Sequence, residues 1–395
     1  MDFNLLLSAY AGRHGHRRWP RQRLLHECLR AAIRDGTLAP GVRLAASRTL
    51  AMELGVARNT VLYAYEQLAS EGFVATDRRG TVVAALAAST SSASSASRQQ
   101  PAARSDALQT PPTLSHRARD LRPVAGPAQR LGAFVPGVPA LDQFPMALWR
   151  RMLDRAWRAL TPAQLNYSDP AGEPALREAI ADHLRAARGV VCDAHQVFIT
   201  DGAQSSLDVC LRALADAGDT IWLENPGYGG ALAAARGAGL AIAGIDVDDD
   251  GIAPAADDWL LRPPRLIYTT PSHQYPVGSV LSLRRRLALI ESARAAGALI
   301  VEDDYDSEFR HDGAPLSAMQ GLAPDAPVVY LGTFSKTMFP GLRLGFVVVP
   351  RNLAAAFAAM RAQSYAGGRA AEQLALAEFL RSGQFARHVR RMRRL

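Results

Sequence analysis

Of the 45 basic residues in this 395-residue chain, a single one, Lys336, is lysine. Arginine can take over most charge roles of lysine, but a guanidinium cannot condense with an aldehyde to form an imine (a Schiff base). A solitary lysine therefore marks the place to look for that chemistry. Its neighbours suit the task. Gly332-Thr333-Phe334-Ser335-Lys336 directly follows the apolar run Val328 to Leu331, and Arg343 lies seven residues further on. Thr333, Ser335 and Arg343 supply hydroxyl and guanidinium contacts for a phosphate. An amine beside an anion clamp fits an aldehyde that carries a phosphate.

Other segments fit the same ligand. Thr200-Asp201-Gly202-Ala203-Gln204-Ser205-Ser206 lies between a strand pattern and a helical one. Backbone N–H groups at Ala203 and Gln204, with the helix dipole, would bind the phosphate, although ordinary helix capping explains the same residues. Glu302-Asp303-Asp304-Tyr305-Asp306 follows a strand ending at Val301. A pyridine nitrogen kept protonated needs a buried carboxylate partner. Asp303 is assigned that role with Asp304 as the alternative, and Tyr305 is placed at the ring 3-hydroxyl. Three acids in a row also resemble a cation site or a solvated loop. Tyr228 either stacks on the pyridine ring or is a core aromatic. His273, Gln274 and Tyr275, in a turn bounded by Pro271 and Pro276, either line the ring edge or pack the turn. The set points to pyridoxal 5'-phosphate as the cofactor, and no metal is expected.

Such residues must be carried to one place by regular elements. Gln196–Thr200, Thr220–Leu223, Arg265–Thr269, Ala298–Val301, Val328–Leu331 and Arg343–Val349 read as strands. Between them run helical stretches such as Leu207–Ala217 and Leu283–Ala296. This alternation predicts an α/β domain with a mainly parallel sheet. Ligands of such sheets bind outside the carboxyl ends of the strands, where these polar segments fall.

The N-terminal part reads differently. Residues 86–115 are rich in Ala, Ser, Pro and Gln and lack aromatics, which predicts a disordered linker. Before it, a small helical domain is expected over 17–85. Leu24-Leu25, Cys28-Leu29 and Ala32-Ile33 repeat at helical spacing, and Asp35-Gly36 ends that helix. Ser47 precedes a second helix, Arg48–Leu54, which Gly55 terminates. A third runs from near Ala57 to Glu71-Gly72. Two short strands, Phe73–Ala75 and Thr81–Val83, follow. Three helices and a hairpin describe a winged helix-turn-helix. Arg58, Asn59 and Thr60 open the third helix, where such motifs reach base edges in the major groove. Arg43, Ser47 and Arg48 are placed at the start of the preceding helix to hold phosphate, and Arg78 and Arg79 in the wing. Any one arginine reads equally as a solvated charge; the ordered set predicts double-stranded DNA as partner. The net charge of +8 suits a polyanion.

Cys28, Cys192 and Cys210 show no disulfide or metal-ligand spacing and read as core residues in a reducing compartment. No run of about 18 apolar residues occurs, so no membrane contact and a cytoplasmic location are expected.

The N-terminal segment resembles the GntR-type winged-helix family, through Leu38-Ala39-Pro40-Gly41 and Arg58-Asn59-Thr60-Val61 followed by Glu66-Gln67-Leu68. Ala45-Ala46 stands where that family usually has Pro-Ser, and the wing glycine stretch is shorter. From 119 to 395 the chain resembles the fold-type-I aminotransferases. The fusion resembles the MocR/GabR-like transcriptional regulators, through Asn166-Tyr167-Ser168-Asp169-Pro170-Ala171-Gly172, Thr269-Thr270-Pro271-Ser272-His273-Gln274-Tyr275-Pro276 and Gly332–Lys336. The resemblance implies that Tyr167 reaches the neighbouring subunit's phosphate, hence a homodimer, and that the larger half senses pyridoxal phosphate or a small amino compound. An active aminotransferase with an appended DNA-binding domain is the alternative. Gly230 stands where some GabR-like relatives have a ligand-binding arginine. Such relatives continue beyond the position of Leu395 into a small C-terminal domain. Either the chain is a fragment or truncated reading frame, or its effector pocket is incomplete; without that part, weaker cofactor binding and an exposed apolar surface around Leu374, Leu376, Phe379 and Leu380 are expected.

Overall fold

The computed structural model describes residues 2–14, 19–77, 80–85, 115, 137–310, 313, 316–323, 325–365 and 367–395. Arg78, Arg79 and the expected linker, Ser115 apart, lie outside these residues. The chain forms two compact units, Met1–Gln109 and Thr110–Leu395.

In the first unit, α1 (Phe3–His14) precedes α2 (Arg21–Arg34), α3 (Ser47–Leu54) and α4 (Arg58–Ser70), and β1 (Val74–Asp77) pairs antiparallel with β2 (Gly80–Val83). The apolar repeat of α2 buries Leu25, Cys28, Leu29, Ala32 and Ile33 against Leu50, Leu54, Val61, Ala64 and Leu68. Gly55 closes α3 at φ 59°, ψ 37°, a left-handed conformation that costs glycine little. It sets the sharp turn into α4. Helix α1 has no counterpart in the expected 17–85 domain. It is docked by tertiary contacts, with Phe3, Leu6 and Leu7 packed on the core and the Phe3 N–H donating to Glu53 at 3.0 Å.

The second unit comprises, in order, α5 (Met146–Ala159), α6 (Pro174–Arg188), β3 (Val197–Thr200), α7 (Ala203–Leu214), β4 (Thr220–Asn225), α8 (Gly229–Ala238), β5 (Ala241–Asp248), β6 (Gly251–Ile252), α9 (Ala256–Leu261), β7 (Leu266–Thr269), α10 (Leu283–Ala296), β8 (Leu299–Asp304), β9 (Val328–Thr333), β10 (Gly345–Val348), α11 (Arg351–Ser364), α12 (Ala370–Arg381) and α13 (Gln384–Met392). The strands form one sheet in the order β3-β10-β9-β8-β7-β4-β5-β6. Pairs β9/β8, β8/β7, β7/β4 and β4/β5 are parallel, while β10 runs antiparallel to β3 and β9. This is the expected α/β class with a mainly parallel sheet. Strand β5 is not among the sequence-derived strands because it turns only Ala243 and Ile245 fully inward, a weak apolar signal. Residues Leu376 and Phe379 of α12, expected at an exposed apolar surface, are fully buried with Trp149 and Leu176, and Leu374 and Leu380 are partly buried beside them.

Strand β8 continues past Val301, pairing Glu302, Asp303 and Asp304 with Tyr330, Leu331 and Gly332 of β9. Successive side chains of a strand point to opposite faces, so the three acids separate. Glu302 accepts from the N–H groups of Met319 (2.9 Å) and Gln320 (3.1 Å). On the same face Asp304 pairs with Arg188 at 2.7 Å and accepts from the Tyr330 hydroxyl at 2.5 Å. Asp303 faces the other way and accepts from the Tyr268 hydroxyl at 2.8 Å. Burial pushes the Glu302 and Asp303 carboxyls up to about 7. Among the described residues no cluster of His, Cys, Asp or Glu is arranged to hold a metal.

Arg188→Met should destabilise this unit by about 3–5 kcal/mol in denaturant unfolding, since it leaves Asp304 buried without its counter-charge. An Arg188→Met protein as stable as wild type would show that the pair contributes nothing. Asp303 holds its proton longer folded than unfolded, so its contribution to stability is complete below its ordinary range near 4. That contribution is lost as pH rises through about 7. The stability difference between wild type and Asp303→Asn should shift against wild type over that window; a flat difference would contradict the assignment.

Candidate cofactor site and nucleic-acid interface

The strand directions bring the polar segments to one edge of the sheet. Residues 201–204 follow β3, Tyr228 follows β4, and His273 and Tyr275 follow β7. Asp303 and Tyr305 lie at the end of β8, and Lys336 follows β9. Because β10 is antiparallel, Arg343, just before its start, joins them.

Lys336 is half-buried, and its Nζ donates to the Gly137 carbonyl at 2.8 Å. Burial lowers its pKa, with Asp306 and then Asp303 opposing. An amine shifted that way carries more of the neutral, nucleophilic form. Thr333 Oγ1 accepts from the Ser335 N–H at 3.2 Å and donates to Ser335 Oγ at 3.1 Å, which orders the turn leading to Lys336.

Gly202, at φ +91°, caps the N-terminus of α7. A Cβ at this position would lie 3.5 Å from the Arg343 guanidinium carbon. The helix N-terminus, with the Ala203 and Gln204 N–H groups, thus sits directly beside an exposed guanidinium. Arg343 itself has no hydrogen-bond or ion-pair partner for its side chain among the described residues. The Gln204 side chain turns away and donates to the Gly230 carbonyl at 3.1 Å.

Asp303 presents one further feature: its Oδ1 is buried with no partner among the described residues. Beside it stands an aromatic wall. Tyr228 meets Tyr275 edge-on (6.0 Å between centroids, 89°), and Tyr275 meets Tyr305 similarly (6.5 Å, 87°). Burial raises the Tyr228 and Tyr305 phenols, with Asp303 adding to both and Arg343 opposing at Tyr228. His273 contacts Asp306 at 2.8 Å, and the Tyr305 hydroxyl donates to the His273 carbonyl at 3.0 Å. Gln274 is instead a turn-packing residue: buried, it donates to Glu224, Pro226 and Tyr275. At Gly230 a Cβ would stand 2.4 Å from the Tyr228 ring, so the tyrosine occupies the space a side chain there would need. Tyr167 is 87% exposed. Asp304, the alternative acid, lies on the opposite face of β8. Sequence reasoning missed Tyr268, which holds Asp303, and Glu224, which gathers Thr269, Thr270 and Gln274. Glu224 lies four residues before Tyr228, but only its burial reveals its role.

In the first unit, Arg58 and Asn59 are exposed and Thr60 partly so at the N-terminus of α4. Arg58 Nε donates to Ser47 Oγ at 3.4 Å, and Arg48 is exposed one residue further along α3. Arg43 differs from its expected place. It forms a bridge with Val82, four residues before α3, and its guanidinium lies 3.9 Å from Asp77, against the hairpin. Pairing of the chain with β2 outweighs helix initiation there. Arg21 donates to the Gly55 carbonyl at 3.1 Å and ties the helix-turn-helix turn to α2.

Residues 22–83 match the family of bacterial regulatory proteins called gntR, and residues 140–395 match aminotransferase class I and II. The probable rhizopine catabolism regulatory protein MocR of Rhizobium meliloti is 41% identical over 95% of this chain and 75% of its own length. The pyridoxine biosynthesis transcriptional regulator PdxR of Corynebacterium glutamicum is 35% identical, covering 94% and 75%. Among solved structures, the α-aminoadipate aminotransferase LysN of Thermus thermophilus, complexed with N-(5'-phosphopyridoxyl)-L-leucine, is 30% identical. It superposes with a TM-score of 0.59 over 65% of this chain and 66% of that one. The kynurenine aminotransferase of Pyrococcus horikoshii, solved with PMP, is 25% identical, with a TM-score of 0.62 over 71% and 73%. No helix among the described residues is long and apolar enough to cross a membrane. With both modules matched and MocR similar along nearly the whole of this sequence, the chain belongs to the MocR-type helix-turn-helix transcriptional regulators, in which a gntR-family domain precedes an aminotransferase-like domain.

Proposed function

We propose that this regulator binds double-stranded DNA through α3 and α4, acts in the cytoplasm as a homodimer, and captures pyridoxal phosphate on Lys336 as part of sensing that compound or a small amino effector. One observation carries the cofactor reading. The only lysine, a buried aspartate oxygen without a partner, and an arginine without a partner at a helix N-terminus converge on one sheet edge among the described residues. Pyridoxal phosphate, when bound, supplies an aldehyde for an amine and a ring that withdraws electrons when its nitrogen is protonated.

The residues divide the work of holding it. Asp303 offers its free oxygen to the ring nitrogen, and the Tyr268 hydroxyl keeps the carboxyl oriented. Tyr228 lies against the ring, while Tyr305, braced by His273, faces the ring hydroxyl, with Tyr275 at the edge. Ala203, Gln204, Thr333, Ser335 and Arg343 form the phosphate cradle, and Tyr167 extends from the surface toward a partner subunit's cradle. On the DNA side, Arg58, Asn59 and Thr60 read bases, and Ser47 and Arg48 hold phosphate.

After incubation with pyridoxal phosphate and reduction by borohydride, the phosphopyridoxyl mass should appear on the peptide containing Lys336. Lys336→Ala should carry none. Label elsewhere on the wild-type chain would refute the assignment. Asp303→Asn should weaken retention of the cofactor more than Asp304→Asn at equal folded fraction; the reverse order would move the ring to the other face of β8. On DNA, Arg58→Ala should cost about 1–3 kcal/mol of specific binding and blur one base-pair preference. Arg48→Ala should weaken all sequences alike and flatten the salt dependence by about one unit of slope. Equal losses on specific and random DNA for both would reduce Arg58 to a phosphate contact. Steady-state transamination at roughly 1–10³ per second would favour an aminotransferase over a regulator.

A further inference from the structure

We infer that Arg369, which no motif singles out, is a positioning residue for the phosphate cradle: it holds Arg343 in the conformation that aims its guanidinium at the α7 N-terminus. The inference rests on the cradle reading above.

Arg343 adopts φ 52°, ψ 45°, a left-handed conformation that is strained for a side chain with a Cβ. Such a conformation persists only where the surroundings hold it. Two peptide carbonyls flank the Arg343 Cα, those of Leu342 and Arg343 itself, and both accept from one side chain. Arg369 Nη1 donates to the Arg343 carbonyl at 2.6 Å, and Arg369 Nη2 donates to the Leu342 carbonyl. The fork therefore brackets the strained residue on both sides. A planar guanidinium is suited to this, because its two terminal nitrogens are fixed relative to each other. Nη1 also lies 3.3 Å from Asp201 Oδ1, next to Gly202, where a Cβ would touch the Arg343 guanidinium. One side chain thus joins both walls of the cradle. It also pairs with the Asp201 carboxylate at that wall. That pair is partly exposed, so screening weakens its electrostatic share and leaves the backbone clamp as the main effect.

The backbone of Arg369 is secured without its side chain. It stands at φ 57° as the N-cap of α12. The Gly368 N–H donates to Ser168 Oγ at 3.0 Å, and the buried Gln373 donates to the Gly368 carbonyl at 2.7 Å and accepts from the Glu173 N–H at 2.8 Å. Truncating the side chain should therefore spare the turn.

The test compares titrations of the full chain with pyridoxal phosphate and with pyridoxal, which lacks the phosphate. Arg369→Ala should lower affinity for pyridoxal phosphate about tenfold and leave pyridoxal within about twofold. Arg369→Lys should recover only part, because an ammonium cannot bracket both carbonyls. Since Arg369 acts through Arg343, the double variant Arg343→Ala/Arg369→Ala should bind no more weakly than Arg343→Ala. Equal loss of both ligands, no loss of pyridoxal phosphate, or additive losses in the double variant would overturn the positioning role. Failure of the cradle itself reads out separately, as an Arg343→Ala protein whose preference for pyridoxal phosphate over pyridoxal matches wild type.

Discussion

Three consecutive carboxylates are buried at the carboxyl end of β8, and much of the larger unit is arranged around making that burial tolerable. A buried charge needs a partner or a proton. Glu302 receives two backbone N–H groups and Asp304 receives Arg188 and Tyr330, both on one face of the sheet. Asp303 alone turns to the other face, where Tyr268 satisfies one oxygen and the second is left over. The paired acids anchor the segments around Met319 and the end of α6 to the strand. Among the described residues Asp304 keeps an unpartnered buried oxygen of its own on the opposite face, so the two acids differ in the face they occupy.

The proposed phosphate cradle follows a related logic. Gly202, the α7 N-terminus and Arg343 concentrate positive potential at a point where, among the described residues, no acidic side chain answers Arg343. Left-handed backbone at a residue with a side chain occurs among the described residues only at Asp325, Arg343 and Arg369. Two of the three form the clamp at this cradle. In the proposed cradle, strain held by hydrogen bonds from outside it would fix Arg343 before a ligand arrives.

The helix-turn-helix unit has its own core, built from α1 to α4 and the hairpin, and presents Arg48, Arg58 and Asn59 outward.

Local patterns in the chain determined the α/β alternation, the three-helix reading with Gly55 at its turn, and the lone Lys336 placed after a strand. These signals lie within a few residues of one another and survive without knowing the fold. The sequence ranked Asp303 ahead of Asp304, but which face of the strand each acid takes was not local. It follows from β8 running on through Asp304 in register with β9, which sends neighbouring acids to opposite faces. The docking of α1, the diversion of Arg43 to the hairpin, the burial of Leu376 and Phe379, and the clamp of Arg369 on Leu342 and Arg343 are likewise contacts between residues distant in the chain. No periodicity encodes them, because each depends on which surfaces the packed sheet and helices bring together.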